Sequence, residues 1–247
     1  MPQWSPIARP CTVAEPSCFD SSLQANPHQE PTVGSIQGGI SIRIGSVEDP
    51  LRLAVFISGS GSGMEALIRH QMSRPCLHQT TLVVSNLASA TGLQKAEAYG
   101  ITTVITEVDA SIPNPSERRE EHERRLLSIL NQHNIEAVIL SGYMRILSPH
   151  FVAPWKGRLM NIHPSLLPNY PGAHAHRDAL ADGASVTGCT VHFVDEGVDT
   201  GQILAQREVD VLPDDDEHSL SERVKKIEHK LYPEVIDRFA AGEIEYH

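Results

Sequence analysis

Residues 53–63 read Leu-Ala-Val-Phe-Ile-Ser-Gly-Ser-Gly-Ser-Gly, an apolar run followed at once by alternating serine and glycine. The apolar run predicts a strand buried on both faces, and a helix is predicted directly after the loop. Backbone N–H groups of such a loop can converge on an anion at the helix N-terminus. The alternating glycines do not supply the G-x-G-x-x-G spacing of dinucleotide sites, and no P-loop lysine follows. A tight turn without a ligand therefore stays an open alternative.

Further apolar runs at 82–84 and 137–140 alternate with three predicted helices, at about 64–73, 91–99 and 116–132. This alternation predicts an α/β fold with a doubly wound, mostly parallel sheet, Rossmann-like, with helices on both faces. Ligands of such sheets bind at the carboxyl ends of the strands. Strand-like stretches follow near 158–162, 186–194 and 202–211, before a helix at about 217–241. Two adjacent late strands predict an antiparallel addition to the sheet.

Composition narrows the classes of function. The 247 residues carry a formal net charge of −11 and no conspicuous basic cluster, which argues against nucleic acid or an anionic membrane as a partner. No apolar stretch is long enough for a membrane span, and none of signal-peptide type begins the chain, so we expect a cytoplasmic protein. Four cysteines without a C-x-x-C pair indicate reduced thiols. Thirteen histidines invite a metal, but no H-E-x-x-H or zinc-type spacing is present, and we predict none.

Residues 1–50 differ from the rest of the chain in composition and in the spacing of apolar residues. They mix Pro, Ser, Gln and Gly with isolated apolar residues and lack a sustained period of 2 or 3.6. This pattern predicts a disordered N-terminal extension, because too little apolar surface is available to order it. The folded domain is expected to span residues 51–247.

The segment Leu159-Met160-Asn161-Ile162-His163-Pro164 carries the clearest chemical pattern. The two-residue period of a strand places Asn161 and His163 on one face, and Pro164 ends the pairing. An amide N–H and a positioned imidazole suit acyl transfer, because they can stabilise an oxyanion and handle protons. No G-x-S-x-G motif or cysteine nucleophile accompanies the pair, so direct attack by a substrate amine fits better than a covalent intermediate. A purely structural histidine is the alternative.

Two carboxylates complete the set of candidates. Asp199 ends a Gly-punctuated loop between two predicted strands, where it could orient His163, or merely cap its own turn. Glu228 lies on the apolar stripe of the last helix, three residues before Leu231. A carboxylate on an inward face needs a partner, which could be a substrate ammonium or a structural Lys or Arg.

Taken together, residues 51–240 resemble the phosphoribosylglycinamide formyltransferases of purine biosynthesis. The most specific parts are residues 142–148 (Gly-Tyr-Met-Arg-Ile-Leu-Ser), residues 161–168 (Asn-Ile-His-Pro-Ser-Leu-Leu-Pro) and residues 191–194 (Val-His-Phe-Val) leading to Asp199. Glu228-His229 and Tyr232-Pro233 complete the ordered set.

The resemblance implies transfer of the formyl group of 10-formyltetrahydrofolate, as co-substrate and without metal, to the amine of phosphoribosylglycinamide. It implies a catalytic trio, a loop for the ribonucleotide phosphate, a carboxylate on the amine side and a folate pocket. These roles fall on Asn161, His163 and Asp199, on Gly61, Ser62 and Gly63, on Glu228, and on Arg119, Met144, Arg145, Ile146, Leu147 and again Asn161. The family usually has Asn where this chain has Gly63, which puts a side-chain contact to the phosphate in doubt.

Three other functions remain open at this stage. Methionyl-tRNA formyltransferases share a similar core but add a C-terminal tRNA domain, and formyltetrahydrofolate hydrolases add a regulatory domain in front. A hydrolase, with water as the acceptor, is the closest chemical rival. A binding module for folate or nucleotide that has lost activity is the third. The sequence is compatible with a monomer or a homodimer.

Overall fold

The computed structural model describes residues 43–247, and the predictions for residues 1–42 lie outside this range. In the described part, seven strands form one sheet in the order β3-β2-β1-β4-β5-β6-β7. The strands are β1 (Leu51–Ile57), β2 (His78–Ser85), β3 (Thr102–Ile105), β4 (Ala137–Leu140), β5 (Leu159–His163), β6 (Val186–Phe193) and β7 (Ile203–Asp210). The helices are α1 (Ser62–Ser73), α2 (Gly92–Ala98), α3 (Pro115–Gln132), α4 (Pro149–Val152), α5 (Ala175–Ala181) and α6 (Glu217–Ala240).

The sheet is parallel from β3 to β5 and antiparallel from β5 to β7. The predicted fold class, with its late antiparallel addition, is therefore confirmed. The chain runs from β1 outward to β3 and then returns to place β4 on the other side of β1. Such a reversal of strand order opens a crevice at the carboxyl ends of the strands.

Strand β1 shows why the apolar run at 53–57 belongs in the centre of the sheet. Its alternate residues Leu53, Val55 and Ile57 pack in a core with α1, α2 and α6, whereas Ala54 and Phe56 pack in a second core with α3 and α4. Every residue from 53 to 57 is fully buried. Helices thus cover both faces, which explains a continuous apolar run in place of an alternating one.

Three of these elements, β3, α4 and α5, were not predicted, and β3 and α5 illustrate the reason. β3 is a short edge strand whose residues are exposed or half-buried, so it lacks the apolar signal of the other parallel strands. α5 has seven residues and follows the proline- and glycine-containing loop after β5. Both are too short or too polar for periodicity to reveal them.

Residues 43–50 contain no helix or strand, yet they contact the domain. The Gly45 N–H donates to the Ala240 carbonyl over 3.0 Å. The Arg43 guanidinium donates to the Glu136 carboxylate over 2.8 Å. Packed structure therefore begins before residue 51. No helix of the described residues is long and apolar enough to cross a membrane.

Candidate active site

A cavity of about 440 Å³ lies at the carboxyl ends of β4 and β5. Its volume falls within the range of small-molecule sites. Its lining includes Asn161, His163 and Asp199 and the predicted folate residues 144–147. The structure therefore brings together the three residues predicted to be catalytic and four further predicted residues, although these segments lie far apart in the sequence.

His163 is buried, and both of its ring nitrogens face acceptors. Nε2 donates to the Tyr170 carbonyl over 2.8 Å, and Nδ1 lies 3.3 Å from Asp199 Oδ2. Asp199 also accepts from the Gly172 backbone N–H over 2.8 Å. The ring is thus held from two sides by the loop after β5 and the loop after β6.

Asp199 stays ionised despite its position. Burial alone raises the pKa of this carboxyl, but the neighbouring His192, the Gly172 N–H and His163 together lower it to about 2. The residue adopts φ 54° in the left-handed region, which aspartate tolerates better than most side chains. The carboxylate is therefore ionised across the whole neutral range and can hold the His163 ring in place.

His192 was not among the predicted site residues, yet it is part of this arrangement. Its Nδ1 donates to the Phe193 carbonyl over 2.8 Å, and its Nε2 lies 3.2 Å from Asn161 Nδ2 and 3.6 Å from Asp199 Oδ1. Antiparallel pairing sets Asn161 directly opposite His192. An amide nitrogen has two hydrogens, so one remains for a ligand in the cavity. The strand register, which the sequence does not reveal, is what identifies His192 as the group that orients Asn161.

The segment after β4 forms the apolar wall of the cavity and is fixed at both ends. At one end, the Met144 N–H donates to Ser58 Oγ over 2.8 Å. At the other, the Ser148 N–H donates to the buried Glu123 carboxylate over 2.8 Å. Between these anchors Met144 and Ile146 are 71% and 67% exposed, so they offer apolar surface to a ligand. Arg145 and Leu147 also line the cavity.

Arg119, also predicted as a folate contact, lies elsewhere. It is exposed on α3 and lines a separate depression together with Pro115, Ser148 and His150. The structure therefore does not bring Arg119 into the cavity.

The predicted phosphate loop begins α1. Gly61 adopts φ 61°, which favours glycine, and Ser62 and Gly63 form the first turn of the helix. Ser62 Oγ lies 3.2 Å from His229 Nε2 on α6. A Cβ at position 63 would lie 2.6 Å from Ser141 Oγ, so the Ser141 side chain fills the space beside this glycine. These three residues lie outside the lining of the cavity.

Glu228 is half-buried on α6 and forms no hydrogen bond or ion pair with any described residue. Burial raises its pKa to about 7. One helical turn further on, the Tyr232 hydroxyl contacts the Leu140 and Met160 carbonyls at 3.0 and 2.9 Å. These carbonyls belong to β4 and β5, whereas Glu228 itself does not line the cavity. Among residues 43–247 no Lys or Arg forms an ion pair with Glu228, although the charge of Lys225, three residues earlier, acts to lower its pKa.

Comparisons with known proteins agree with this geometry. Residues 51–236 match the family model described as formyl transferase. The phosphoribosylglycinamide formyltransferase of Escherichia coli (strain K12) is 40% identical over 197 residues, which cover 80% of this chain and 91% of the relative. The trifunctional purine biosynthetic protein adenosine-3 of Homo sapiens is 44% identical over 194 residues, 78% of this chain but only 19% of that protein. This chain therefore spans less than a fifth of the trifunctional relative.

Solved structures give the same result. The phosphoribosylglycinamide formyltransferase from Brucella melitensis is 44% identical, with a TM-score of 0.72, over 81% of this chain and 100% of that one. The enzyme of the same name from Coxiella burnetii is 36% identical, with a TM-score of 0.74, over 81% and 91% of the two chains. Both the sequence and the backbone of the described domain thus resemble these proteins over most of their length.

Proposed function

The chain belongs to the formyl transferase family, and from this premise we propose that it transfers the formyl group of 10-formyltetrahydrofolate to the amine of phosphoribosylglycinamide in purine biosynthesis. The observation that carries the proposal is the joining of Asn161, His163 and Asp199 at one end of a cavity whose wall is apolar. An apolar wall suits a flat folate ring, and the polar end suits an acyl group under attack. A cytoplasmic location and a monomeric or homodimeric state belong to the same proposal.

The mechanism is direct transfer. The substrate amine attacks the formyl carbon, a new C–N bond forms, and the carbonyl electrons move onto oxygen as an oxyanion. The free hydrogen of Asn161 Nδ2 donates to that oxygen, and the His163 ring stabilises its charge. The intermediate then breaks its bond to the folate nitrogen as the carbonyl re-forms, and a proton passes from the amine to that nitrogen.

Neighbouring groups hold Asn161 and His163 in position. Asp199 and the Tyr170 carbonyl hold the His163 ring, and His192 fixes the Asn161 amide. We assign the ribonucleotide phosphate to the backbone N–H groups that begin α1, at Gly61, Ser62 and Gly63, because the positive end of a helix binds anions. Glu228, which forms no ion pair with any of residues 43–247, receives the amine side of the ribonucleotide.

A hydrolase is the second candidate, because the same oxyanion groups would serve attack by water. The two are separated by the absorbance-monitored release of deformylated folate, measured with and without ribonucleotide. Release that depends on the ribonucleotide supports the transferase. Release without it assigns a hydrolase, and no release in either case leaves a binding module.

A further inference from the structure

A second group of polar side chains lies at the amino-terminal end of β2, opposite to the strand ends that carry the cavity. It consists of His70 near the end of α1, Cys76 in the following loop, His78 at the start of β2, and Asp237 on α6. One ligand atom of each lies within 4.8 Å of the ligand atoms of the other three. The cavity opens at the carboxyl ends of the strands, whereas His78 begins its strand. This group is therefore separate from the candidate active site.

Asp237 joins the two histidines. Its Oδ2 lies 2.8 Å from His70 Nε2, and its Oδ1 lies 2.9 Å from His78 Nε2. The Arg74 guanidinium contacts the same carboxylate and also lies 2.9 Å from His70 Nε2. That nitrogen cannot satisfy both neighbours, because it must donate to a carboxylate but accept from a guanidinium. A cation bound there would satisfy the imidazole lone pair and the carboxylate together.

The ligand types identify the cation. Two imidazoles, a thiolate and a carboxylate suit Zn²⁺, whereas Mg²⁺ and Ca²⁺ prefer oxygen ligands alone. In a tetrahedral zinc site the ligand atoms lie roughly 3.3 to 3.8 Å apart, so this group needs to contract by only about 1 Å at its widest. We infer that His70, Cys76, His78 and Asp237 form a structural zinc-binding site that ties the α1–β2 loop to α6.

The Arg74 guanidinium competes with a bound metal ion for the Asp237 carboxylate. Its side chain is 54% exposed, so it can move into solvent when a metal binds. Without metal, its guanidinium supplies the positive charge beside Asp237. Removal of Arg74 should therefore leave zinc binding intact or strengthen it, whereas an ion-pair network without a metal function would only lose a contact.

Gln71 controls the tautomer of His78. Its Oε1 accepts from the Thr80 N–H over 3.1 Å, which directs its Nε2 toward His78 Nδ1 at 2.8 Å. In this arrangement His78 Nδ1 accepts, and the hydrogen of the ring lies on Nε2, toward Asp237. Zinc binding through Nε2 needs the other tautomer, with the hydrogen on Nδ1 and an acceptor beside it. A glutamate at position 71 could accept from both Thr80 and His78. Gln71→Glu should therefore strengthen zinc binding, by about tenfold if it acts as carboxylates behind zinc-bound histidines do.

The test uses the full chain, reduced and freed of metal by a chelator. Zn²⁺ is titrated in competition with a chromophoric chelator, and Co²⁺ serves as the spectroscopic probe. We expect one equivalent of Zn²⁺, a rise in Tm, and a thiolate-to-cobalt charge-transfer band. Cys76→Ser, at a half-buried position that tolerates it, should weaken binding at least about a hundredfold and abolish that band. A variant with both Cys11 and Cys18 replaced by Ser should bind as the wild type does.

The inference is overturned if no stoichiometric Zn²⁺ binds, or if Cys76→Ser binds it as the wild type does. It is also overturned if Gln71→Glu weakens binding. Formyl transfer is not a readout of this test, so the result stands whether or not the proposed reaction is correct.

Discussion

Asp199 and Asp237 occupy similar surroundings with different consequences. Each carboxylate lies near two histidines, His163 and His192 in one case and His70 and His78 in the other. Asp199 lies at the carboxyl ends of the parallel strands, where the loops diverge and leave a cavity. Asp237 lies near the start of β2, where the Arg74 guanidinium covers the carboxylate.

The comparison shows that residue types alone do not make an active site. The polarity of a parallel sheet decides which group meets a ligand, because loops and helix N-termini gather at the carboxyl ends. The carboxylate and histidines around Asp237 lie at the other end of the strands, where they can stabilise the fold or bind a metal.

The largest expected effect comes from the removal of one histidine from each group, which tests whether the two groups differ in function. His163→Ala should lower turnover by roughly a thousandfold or more, because a group that stabilises the oxyanion is lost. Ribonucleotide binding, measured by calorimetry, should remain, since Gly61, Ser62 and Gly63 are unchanged. His78→Ala should instead lower the free energy of unfolding and retain turnover per folded molecule. Near-normal turnover of His163→Ala would remove this histidine from the mechanism.

Removal of charge from the two carboxylates is the second test. Asp199→Asn keeps the shape but removes the charge that holds the His163 ring, so we expect kcat to fall about a hundredfold with little change in KM for the ribonucleotide. Asp237→Asn should cost about 1–3 kcal/mol of stability, because buried partners lose a charged acceptor, and leave kcat per folded molecule unchanged. Steady-state kinetics of both variants, with the folded fraction checked by urea unfolding, measures the contrast in kcat. Equal effects on kcat would show that Asp199 acts only through the fold.

Glu228 belongs to neither group, and it differs from Asp199 and Asp237 because no described residue forms an ion pair with it. Its pKa of about 7 lies above the unfolded value, so the folded state holds its proton more tightly. Stability from this group is fully present below about pH 4.5 and is lost as the pH rises through 7. Glu228→Gln should therefore raise stability at pH 8 by about 1–3 kcal/mol and raise KM for the ribonucleotide. A variant that is less stable at pH 8 would indicate a structural bridge.

The smallest expected effect concerns acid stability. The pKa of Asp199, about 2, lies below its unfolded value, so the stability it contributes is present above about pH 4 and is lost as the pH falls through 2. Asp199→Asn should therefore cost about 2 kcal/mol at pH 7 and almost nothing near pH 2. Urea unfolding at several pH values measures this difference. A cost that is the same at every pH would contradict the ionised, histidine-bound carboxylate.

Local sequence patterns were sufficient to predict part of the fold and part of the candidate site. The run at 53–57 indicated a central strand because burial on both faces removes polar residues. The two-residue period placed Asn161 and His163 on one face, and the loop after β6 indicated Asp199. Each of these predictions depends on residues that are close together in the sequence.

Long-range pairing made the rest unpredictable. The role of His192 depends on the antiparallel register that sets it opposite Asn161. The group around Asp237 joins residues 70–78 to a helix about 160 positions later, and no spacing rule spans such a distance. Arg119 failed to join the cavity for the same reason, since its helix face is set by packing against the sheet.

The most direct test of formyl transfer to the ribonucleotide follows a carbon-13 label placed in the formyl group of the folate. In a single turnover with excess protein and ribonucleotide, the label should appear on the ribonucleotide amine, as followed by carbon-13 NMR. With His163→Ala, which should still bind the ribonucleotide, transfer should be slower by the factor given above. Label released as formate by the wild-type protein, in the presence of ribonucleotide, would contradict formyl transfer and assign a hydrolase.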